Sequence, residues 1–404
     1  MEYKKVKLKD VVTVLGDGIH GTPKYSENGE YYFINGNNLS NGKILIKPDT
    51  KKVDNEEYKK YKKDLNNRTL MVSINGTLGN VAVYNNEKCI LGKSACYFNV
   101  KDNVNKQYIK YILYAKEFQK YIQDYATGTT IKNMSLKAMR EYEFLLPELN
   151  IQNKIDKVLS HIDEKIELNN KINDNLYEVL KMEFKTKFYN KNNDAKLLDY
   201  ISNTIGGDWG KELPVDNYNT KVYCVRGADI PNMEYGNKGN APTRYILEKN
   251  FNKKKLEPND IIIEISGGSP TQSTGRTAYI TGNILSMYDA PLLCTNFCRA
   301  IETKKEIYAP FVYMYLTLMY EDDIFFNWEN GTTGIKNLAL NDLLLNIEIT
   351  QPNEGELNNY YILFNSIMNK ISNNSNENIK LELLRNTLLP KLMNGELDLD
   401  KMGI

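Results

Sequence analysis

The sequence contains few of the residues from which metal and redox sites are built. Its 404 residues include two histidines, His20 and His161, and five cysteines, no two of which have the Cys-x-x-Cys spacing. Structural zinc sites and disulfide frameworks need closely spaced clusters of these residues. We therefore expect neither in this chain.

Long apolar runs are also missing. No stretch approaches the length of about 18 consecutive apolar residues that a membrane-spanning helix requires. Residues 1–10 alternate charged and apolar side chains, whereas a signal peptide would be apolar. A cytoplasmic protein without a membrane partner is expected. The composition, 41% hydrophobic and 25% charged, is that of a folded protein, and the length predicts two or three domains.

Signatures of nucleotide and methyl-donor binding are incomplete. Residues 87–94 end like a phosphate-binding loop, but Glu87 stands where the first glycine belongs. No two prolines are adjacent, so the Asn/Asp-Pro-Pro-aromatic motif of amino-methyltransferases is absent. We expect this chain to bind neither ATP nor S-adenosylmethionine. One enzymatic alternative stays open, because Asp49, Glu57 and Lys59 imitate the triad of a Mg²⁺-dependent nuclease.

Charge is distributed unevenly along the chain. The formal net charge is +1, but residues 1–147 carry 24 Lys and Arg against 16 Asp and Glu, whereas residues 191–352 carry 16 against 20. A basic first part favours a polyanionic partner such as nucleic acid. Much of this charge lies in residues 51–63, which could equally form a solvated loop. The acidic second part leaves the source of any DNA affinity there open.

The sequence repeats itself over nearly half its length. Residues 65–76 and 256–267 both consist of turn residues, a short apolar strand and a closing glycine, and their numbers differ by 191. The Gly-Thr-Thr and Ile-Lys-Asn of residues 125–133 return in residues 328–337, after an aromatic helical stretch in each case. Short strands between turn residues predict two mixed α/β domains in which strands dominate.

A long helical segment follows each half. Apolar residues recur at helical spacing from Ile151 to Tyr189 and from Glu354 to Leu389. Helices of these lengths would span about 58 and 54 Å at 1.5 Å per residue, which exceeds a single domain. A narrow apolar stripe must be covered, so we expect the two helices to pack as an antiparallel coiled coil. Two unrelated core helices are the alternative.

Four asparagines interrupt these apolar stripes. Buried asparagines can fix the register of a coiled coil at a cost in stability. They could equally mark a loosely packed middle. The residues are Asn169, Asn173, Asn374 and Asn378.

These patterns predict an α+β (mixed) fold with a pseudo-two-fold internal repeat, in which two similar globular domains are separated by a long antiparallel two-helix coiled coil. In chain order we predict a first globular domain at 1–148, a spacer helix at 149–190, a second globular domain at 191–352, a second spacer helix at 353–391 and a C-terminal tail at 392–404.

This succession of domains and helices resembles the specificity subunit of type I restriction–modification systems. The resemblance covers the whole chain, and its helix and tail stretches are the more specific ones. Residues 206–210, Gly-Gly-Asp-Trp-Gly, depart from the first half, where residues 17–23 stand. The stretches that carry it are DGIHGTP at 17–23, SINGTLGNVA at 73–82, GTTIKN at 128–133, LSHIDEKI at 159–166 and LRNTLLPKLMNGEL at 384–397.

The resemblance implies a non-enzymatic subunit that recognises double-stranded DNA. Each globular part would be a target-recognition domain for one half of a bipartite, asymmetric site. The helices would set the spacing and dock two methyltransferase subunits, through which restriction and translocase subunits join in a defence against foreign DNA. S-adenosylmethionine, ATP and Mg²⁺ would be bound by those partners. A purely protein-binding adaptor is a further alternative.

Candidate DNA-binding residues are polar or basic side chains on predicted loops. The Gly-Thr-Thr segments combine exposed amides, hydroxyls and a nearby lysine, which suits phosphate groups, although the hydroxyls could instead bond to their own backbone. Asn and Gln can pair with adenine and Arg with guanine, whereas the arginines could instead form ion pairs. The first-half candidates are His20, Thr22, Lys24, Asn35, Asn37, Asn38, Thr129, Thr130, Lys132 and Asn133. The second-half candidates are Lys211, Arg226, Gln272, Arg276, Asn296, Thr332, Thr333, Lys336 and Asn337.

Overall fold

The computed structural model describes residues 3–189, 193–269, 271–331 and 335–397. The chain divides into two compact units, one formed by Met1–Glu164 with Leu381–Ile404 and the other by Lys165–Lys380. Each unit contains a globular part of mixed helices and strands and a portion of each of two long helices. The predicted α+β class is confirmed.

The globular part of the first unit contains eleven described strands and four described short helices. The strands are β1 (Tyr3–Lys7), β2 (Val12–Asp17), β3 (Tyr31–Ile34), β4 (Leu39–Ser40), β5 (Lys43–Ile44), β6 (Lys52–Val53), β7 (Thr69–Asn75), β8 (Thr77–Val83), β9 (Cys89–Leu91), β10 (Ala95–Val100) and β11 (Glu143–Pro147). The helices are α1 (Asn55–Tyr61), α2 (Lys106–Tyr114), α3 (Lys116–Asp124) and α4 (Leu136–Glu141). The long helix α5 (Leu149–Lys187) follows them.

The second unit's globular part has twelve described strands and five described short helices. The strands are β12 (Asn193–Lys196), β13 (Ile201–Gly206), β14 (Tyr218–Val225), β15 (Thr243–Leu247), β16 (Ile261–Glu264), β17 (Ser266–Gly267), β18 (Thr277–Tyr279), β19 (Leu292–Cys294), β20 (Cys298–Thr303), β21 (Glu329–Asn330), β22 (Lys336–Leu338) and β23 (Glu348–Thr350). The helices are α6 (Ile230–Glu234), α7 (Glu248–Lys254), α8 (Gly282–Ser286), α9 (Ala309–Glu321) and α10 (Leu340–Asn346), before the long helix α11 (Glu354–Met393).

Three sheets of each unit have the same strand order, whereas β4-β5 occurs only in the first unit and β17-β22-β21 only in the second among the described strands. The main antiparallel sheet is β2-β10-β7-β8 in the first unit and β13-β20-β16-β18 in the second. A three-stranded sheet, β6-β3-β9 or β15-β14-β19, contains one parallel pair in each unit. A two-stranded sheet, β1-β11 or β12-β23, joins the start of each half to the segment before its long helix. The internal repeat found in the sequence is therefore a repeat of topology.

The aromatic helical stretches differ in detail from the prediction. The stretch from Tyr108 to Tyr121 is not one helix, because Ala115 adopts an extended conformation between α2 and α3. The stretch from Phe311 to Phe326 is α9 followed by a 3₁₀ turn. Both nevertheless supply core residues, since Tyr108 and Phe311 are completely buried.

The two long helices pair antiparallel within each unit. In the second unit the amide of Asn169 donates to Asn378 Oδ1 at 2.9 Å, and Tyr360 OH donates to the carbonyl of Leu180 at 3.2 Å. Partner numbers therefore fall as residue numbers rise, which is the antiparallel order. The alternative of two unrelated core helices is excluded. The predicted helix ends were close: α5 ends at Lys187 instead of Tyr189, and α11 continues past Leu389 through Pro390 to Met393.

In the first unit an acidic residue of α5 joins three elements. Asp163 accepts hydrogen bonds from Arg385 Nη1 of α11 at 2.7 Å and from Tyr111 OH at 2.8 Å, and Lys110 Nζ of α2 lies 3.1 Å away. Burial opposes ionisation of Asp163, but Lys110, Arg385 and Tyr111 together hold its pKa below the ordinary value. The carboxylate thus connects the globular part to both long helices.

The four asparagines of the apolar stripes are buried within the second unit. Asn374 Nδ2 donates to Asn173 Oδ1 at 2.8 Å, and Asn173 Nδ2 donates to Ser375 Oγ at 3.3 Å. Asn378 and Asn169 form the neighbouring pair. Each amide has a partner across the helix pair, so these residues form polar layers that specify register, as the first of the two interpretations predicts.

Candidate nucleic-acid interface

Loops from five segments meet at one end of the sheets in the first unit. These segments, which we call the first loop cluster, are residues 17–21, 35–38, 73–80, 92–94 and 127–133. Ser94 connects three of them: its hydroxyl donates to Asn35 Oδ1 at 3.0 Å, the amide of Gly36 donates to its Oγ at 2.9 Å, and its carbonyl accepts from the amide of Ile74 at 2.9 Å. The amide of Ile19 donates to the Leu91 carbonyl at 2.7 Å, which fixes the first segment beside them.

The Gly-Thr-Thr segment of the first unit is an anchored loop. Thr127 and Asn133 exchange backbone hydrogen bonds of 2.9 and 2.8 Å, and Gly128 has φ +103°, a value suited to glycine. The carbonyl of Lys132 accepts from the amide of Gly76 at 3.0 Å, which joins the loop to the β7–β8 turn. Thr127 and Asn133 thereby close a loop whose tip is exposed.

Exposed hydroxyls occupy the tip of this loop. Thr129 and Thr130 are exposed, and their hydroxyls make no hydrogen bond with other residues of the described part of the chain. The hydroxyls of Thr129 and Thr130 therefore do not bond to the backbone of their own loop, which was the alternative. Lys132 Nζ lies 3.4 Å from Gln123 Oε1, and Asn133 Oδ1 accepts from Asn75. Two hydroxyls and a lysine are therefore available to a ligand.

The other first-half candidates have different degrees of exposure. His20 is exposed, with Nε2 2.9 Å from Asp17 Oδ2, and Thr22, Lys24 and Asn37 are exposed as well. Asn38 differs, because it is 5% exposed and its amide donates to the Leu45 carbonyl at 3.0 Å and to Thr50 at 3.3 Å. The candidate role of Asn38 in contacting a base does not fit this burial, and its side chain serves the loop.

The second unit builds an equivalent cluster from different side chains. We call residues 206–210, 226–229, 264–276, 295–297 and 329–337, without the undescribed positions 270 and 332–334, the second loop cluster. Asp229 Oδ2 accepts from the amide of Arg226 at 2.9 Å, as Asn38 Oδ1 accepts from the amide of Asn35 at 3.0 Å. The numbers differ by 191 in both cases, so the loop is conserved between the repeats while its side chains change.

The departing sequence at 206–210 occupies the place of the first segment. The backbone amide of Asp208 donates to the Cys294 carbonyl at 2.9 Å, as the amide of Ile19 donates to the Leu91 carbonyl. Gly207 lies close to the end of β19 and Gly18 close to the end of β9. In both places a Cβ would collide with backbone carbonyl groups. The two segments differ in sequence but share one position and one constraint.

Both second-half arginines of the candidate set form ion pairs. Arg226 donates through Nε to Asp229 Oδ2 at 3.0 Å and through Nη2 to Asp229 Oδ1 at 3.2 Å. Arg276 donates through Nε and Nη2 to the two oxygens of Glu264 at 2.8 and 2.6 Å. The hydrogen bonds to Glu264 raise the pKa of Arg276 further, so it stays charged. Ion pairing, which the sequence left open, is therefore observed.

The remaining described candidates of the second unit differ in their partners. Gln272 is exposed and its amide donates to Tyr320 OH at 3.1 Å. Asn296 and Lys211 are exposed. Asn337 Oδ1 accepts from Ser266 at 2.7 Å.

The second Gly-Thr-Thr segment lies partly outside the described residues, and Thr332 and Thr333 are among those outside. Gly331 is described and has φ +123°. Lys336 Nζ binds Glu329 Oε2 at 2.8 Å, and Glu329 also accepts from the amide and hydroxyl of Thr274. Lys336 therefore has an internal carboxylate partner, unlike Lys132, so the two lysines are not equivalent phosphate ligands.

Several residues of the clusters were missed by sequence reasoning. They are Ser73, Asn80, Ser94, Glu264 and Phe297. Serine and asparagine are common residue types in turns, so Ser73, Asn80 and Ser94 carry no distinctive signal. Glu264 stands in an apolar strand without a neighbouring motif that would indicate a site. The 191-residue offset of the repeat could have found one pair, because it aligns Glu264 with Ser73.

The nuclease alternative finds no support in the arrangement of its residues. Glu57 is buried and accepts from the amide of Lys24 at 3.0 Å, whereas Asp49 and Lys59 are exposed. Among the described residues no group of three or more His, Cys, Asp or Glu side chains is placed to hold a metal ion. The set lacks the rigid cluster of oxygen ligands that Mg²⁺ requires.

Other sites for small cofactors are equally poorly matched. The chain contains one Gly-x-Gly-x-x-Gly spacing, at residues 16–21, but Gly16 lies within β2 and no helix follows, so the dinucleotide-binding context is missing. All five cysteines are buried and unpaired. Burial raises the pKa of the Cys89 and Cys224 thiols to about 12, which disfavours thiolate chemistry.

No helix within the described ranges is long and apolar enough to cross a membrane.

Comparison with known proteins gives one family model that matches the first part of the chain. The sequence pattern described as "Type I restriction modification DNA specificity domain" matches residues 1–178. The match covers 178 of the 404 residues, so the first part of the chain is similar to this family. This match supports a DNA target-specificity function, and the specificity subunits of type I systems are non-catalytic, in agreement with the prediction.

Relatives and solved structures extend the similarity over most of the chain. The chain is 24% identical over 365 residues to the type I restriction enzyme MjaIX specificity subunit of Methanocaldococcus jannaschii. The aligned residues are 83% of this chain and 78% of that relative. The crystal structure of the type I restriction-modification system S subunit from M. genitalium has a TM-score of 0.53 at 19% identity, covering 97% of this chain and 96% of that one. A structure reported for complex assembly and conformational transition of the type I R-M system has a TM-score of 0.44 at 12% identity, with 98% of each chain covered.

Proposed function

We propose that this specificity subunit recognises a bipartite, asymmetric double-stranded DNA sequence, with one half-site for each globular part. The parts are the target-recognition domains at 1–148 and 191–352, the helices at 149–190 and 353–391 set their spacing, and a tail occupies 392–404. The observation that carries the proposal is the repeated strand order with different polar side chains at equivalent positions. Two domains with the same strand order but different loop side chains would bind two different half-sites.

The loop clusters are the proposed DNA-contacting surfaces. Thr129, Thr130 and Lys132 would bind backbone phosphates, since their polar atoms are exposed on an anchored loop. His20, Thr22, Lys24, Asn35 and Asn37 surround this loop or its neighbours in the first cluster. Arg226, Gln272, Arg276 and Asn296 are their counterparts in the second. Asn and Gln side chains would favour adenine, and arginines would favour guanine.

Charge favours a larger phosphate contribution from the first unit. Residues 1–147 have 24 basic against 16 acidic side chains, whereas residues 191–352 have 16 against 20. In the second cluster Lys336 is neutralised by Glu329. Binding by the second domain would therefore depend more on base contacts and less on counterion release.

Exposed apolar side chains on the long helices suit a protein partner. In the second unit they project from both α5 and α11, and water-exposed leucine and isoleucine on a helix pair are candidates for burial in an assembly. We propose that methyltransferase subunits cover them, that restriction and translocase subunits join through those partners, and that S-adenosylmethionine, ATP and Mg²⁺ are bound there, in the cytoplasm. The side chains are Leu168, Val179, Met182, Ile362 and Ile379.

The test is target selection by the full chain assembled with methyltransferase partners. A library of random duplexes should yield two fixed blocks separated by an unspecified spacer, and affinity should fall with added salt. Omission of the specificity subunit is the control and should abolish selection. Partner binding without any DNA selection would instead establish the protein-binding adaptor.

A further inference from the structure

The two loop clusters differ most sharply at one position of the β-hairpin that enters them. In the first unit Ser73 of β7 faces Asn80 of β8, and the amide of Asn80 donates to Ser73 Oγ at 2.8 Å. In the second unit Glu264 of β16 and Arg276 take these places, with the amide of Glu264 donating to the carbonyl of Arg276 at 2.9 Å. A neutral pair in one domain is thus an ion pair in the other.

Sheet register shows that these positions correspond. Ser73 pairs with Ala95 of β10, and Glu264 pairs with Cys298 of β20. The carbonyl of Ser94, the residue before Ala95, accepts the amide of Ile74, and the carbonyl of Phe297, the residue before Cys298, accepts the amide of Ile265 at 2.9 Å. The substitution therefore sits in an otherwise unchanged backbone frame.

The ion pair presents one edge of the Arg276 guanidinium. Glu264 is 4% exposed and binds Nε and Nη2, whereas the Arg276 side chain keeps 23% of its surface exposed. A guanidinium has five N–H groups, so the two of Nη1 and the second of Nη2 remain, and no residue in the described part of the chain binds them. The Nη1–Nη2 edge is the fork that matches O6 and N7 of guanine.

Arg226 cannot offer the same fork. Its Nε and Nη2 bind Asp229, and the second N–H of Nη2 donates to the carbonyl of Asn240 at 2.9 Å. Nη1 alone remains. Of the two arginines, Arg276 is therefore the one with a free paired edge.

A glycine, Gly227, lies directly beside the ion pair. A Cβ on Gly227 would collide with Glu264 Oε1 and would lie 3.3 Å from Arg276 Nη2. Gly227 corresponds in number to Gly36, which lies against Ser73 in the same way. The close approach holds the carboxylate in place, so the guanidinium has one orientation before any ligand binds, which reduces the entropic cost of binding.

We propose that Arg276 specifies a guanine in the half-site of the second domain, that Glu264 is its positioning residue, and that the first domain has no arginine-dependent guanine at the corresponding place because Ser73 and Asn80 stand there. This inference rests on the proposed function and assigns one base of it. It also gives the acidic second domain a source of affinity that does not depend on a net positive surface.

The experiment compares target selection by the wild-type complex and by Arg276→Lys, which keeps the charge and removes the fork. Wild type should select guanine at one fixed position of one half-site. Arg276→Lys should reduce preference at that position by roughly 5- to 150-fold and leave the other half-site unchanged. Glu264→Gln should weaken the same position alone. Arg385→Lys is the matched control, because Arg385 is a half-buried, ion-paired arginine outside the loop clusters.

A second measurement uses unmodified protein and altered DNA, so it does not depend on how a variant folds. Replacing the selected guanine by 7-deazaguanine removes the N7 acceptor and should weaken binding of the wild-type complex at that position. Full affinity for the 7-deazaguanine duplex, or full guanine preference in a folded Arg276→Lys complex, would overturn the inference and leave the bipartite target intact. Absence of any bipartite target would instead overturn the proposed function itself.

Discussion

Glu234 provides a quantitative test of the packing between α6 and the long helix α5. The carboxylate lies at the C-terminal end of α6 and accepts a hydrogen bond from Tyr177 OH of α5 at 3.1 Å. Burial raises the pKa of Glu234 to about 7, and the charges of Glu321 and Glu178 act in the same direction, whereas Tyr177 and Lys181 oppose them. We therefore examine Glu234→Gln, which keeps the shape and removes the charge.

The sign follows from proton binding. Between its ordinary pKa of 4.5 and about 7, Glu234 binds a proton in the folded chain and not in the unfolded chain. The free energy of unfolding therefore falls as pH rises through this window, and the loss is complete above pH 7. The difference in pKa corresponds to about 3 kcal/mol. Glu234→Gln should thus raise stability at pH 8 by up to about 3 kcal/mol and change it little at pH 4.5.

Urea unfolding followed by tryptophan fluorescence measures this effect in the correct unit. Trp209 and Trp328 are the two tryptophans of the chain, and both belong to the second unit. The midpoint at pH 8 should rise by roughly 1 to 1.5 M urea in Glu234→Gln. Glu348→Gln, an exposed residue of β23, is the control and should not shift the midpoint. Equal shifts at both pH values, or a lower midpoint at pH 8, would refute the burial argument.

Three further predictions test the helix pair and the DNA contact. Asp163→Asn should lower the unfolding free energy of the first unit by about 2 to 4 kcal/mol in circular dichroism melts, because it removes the carboxylate partner of Lys110 and of the half-buried Arg385. The exposed Asp102→Asn is the control and should have no effect. Wild-type stability should fall as pH drops through the lowered pKa of Asp163. Asn374→Leu should lower the free energy of unfolding by about 1 to 3 kcal/mol. The double variant Asn374→Leu with Asn173→Leu should lose less than the sum of the two single losses, which a double-mutant cycle measures. Additive losses would argue against the polar layer. Lys132→Gln should reduce the slope of log affinity against log salt by about 1, and an unchanged slope would exclude a phosphate contact.

Local sequence fixes those parts of the fold that depend on periodicity and spacing. The apolar stripe from Ile151 onward and its partner ending near Leu389 require a cover whatever the rest of the chain does, so the helix pair and its direction follow from pattern and connectivity. The offset of 191 residues between Leu65 and Leu256 likewise determines that one topology occurs twice, because equal turn and strand patterns fold alike.

Hydrogen-bond partners that are distant in sequence could not be obtained in this way. Asn37 and Asn38 are adjacent and chemically identical, yet one is exposed and the other is enclosed by Leu45 and Thr50. Burial depends on how the following loop folds back, which neither residue encodes.

What the sequence determined by itself is the repeat and the strand and helix pattern. What tertiary structure alone decided is which side chains face a ligand and with which atoms. Arg226 and Arg276 have the same chemistry, and the position of the Asn240 carbonyl separates a guanidinium whose fork is occupied from one whose fork is free. The physical reason is that hydrogen bonds are short and directional, so their allocation is settled only when distant segments of the chain are brought together.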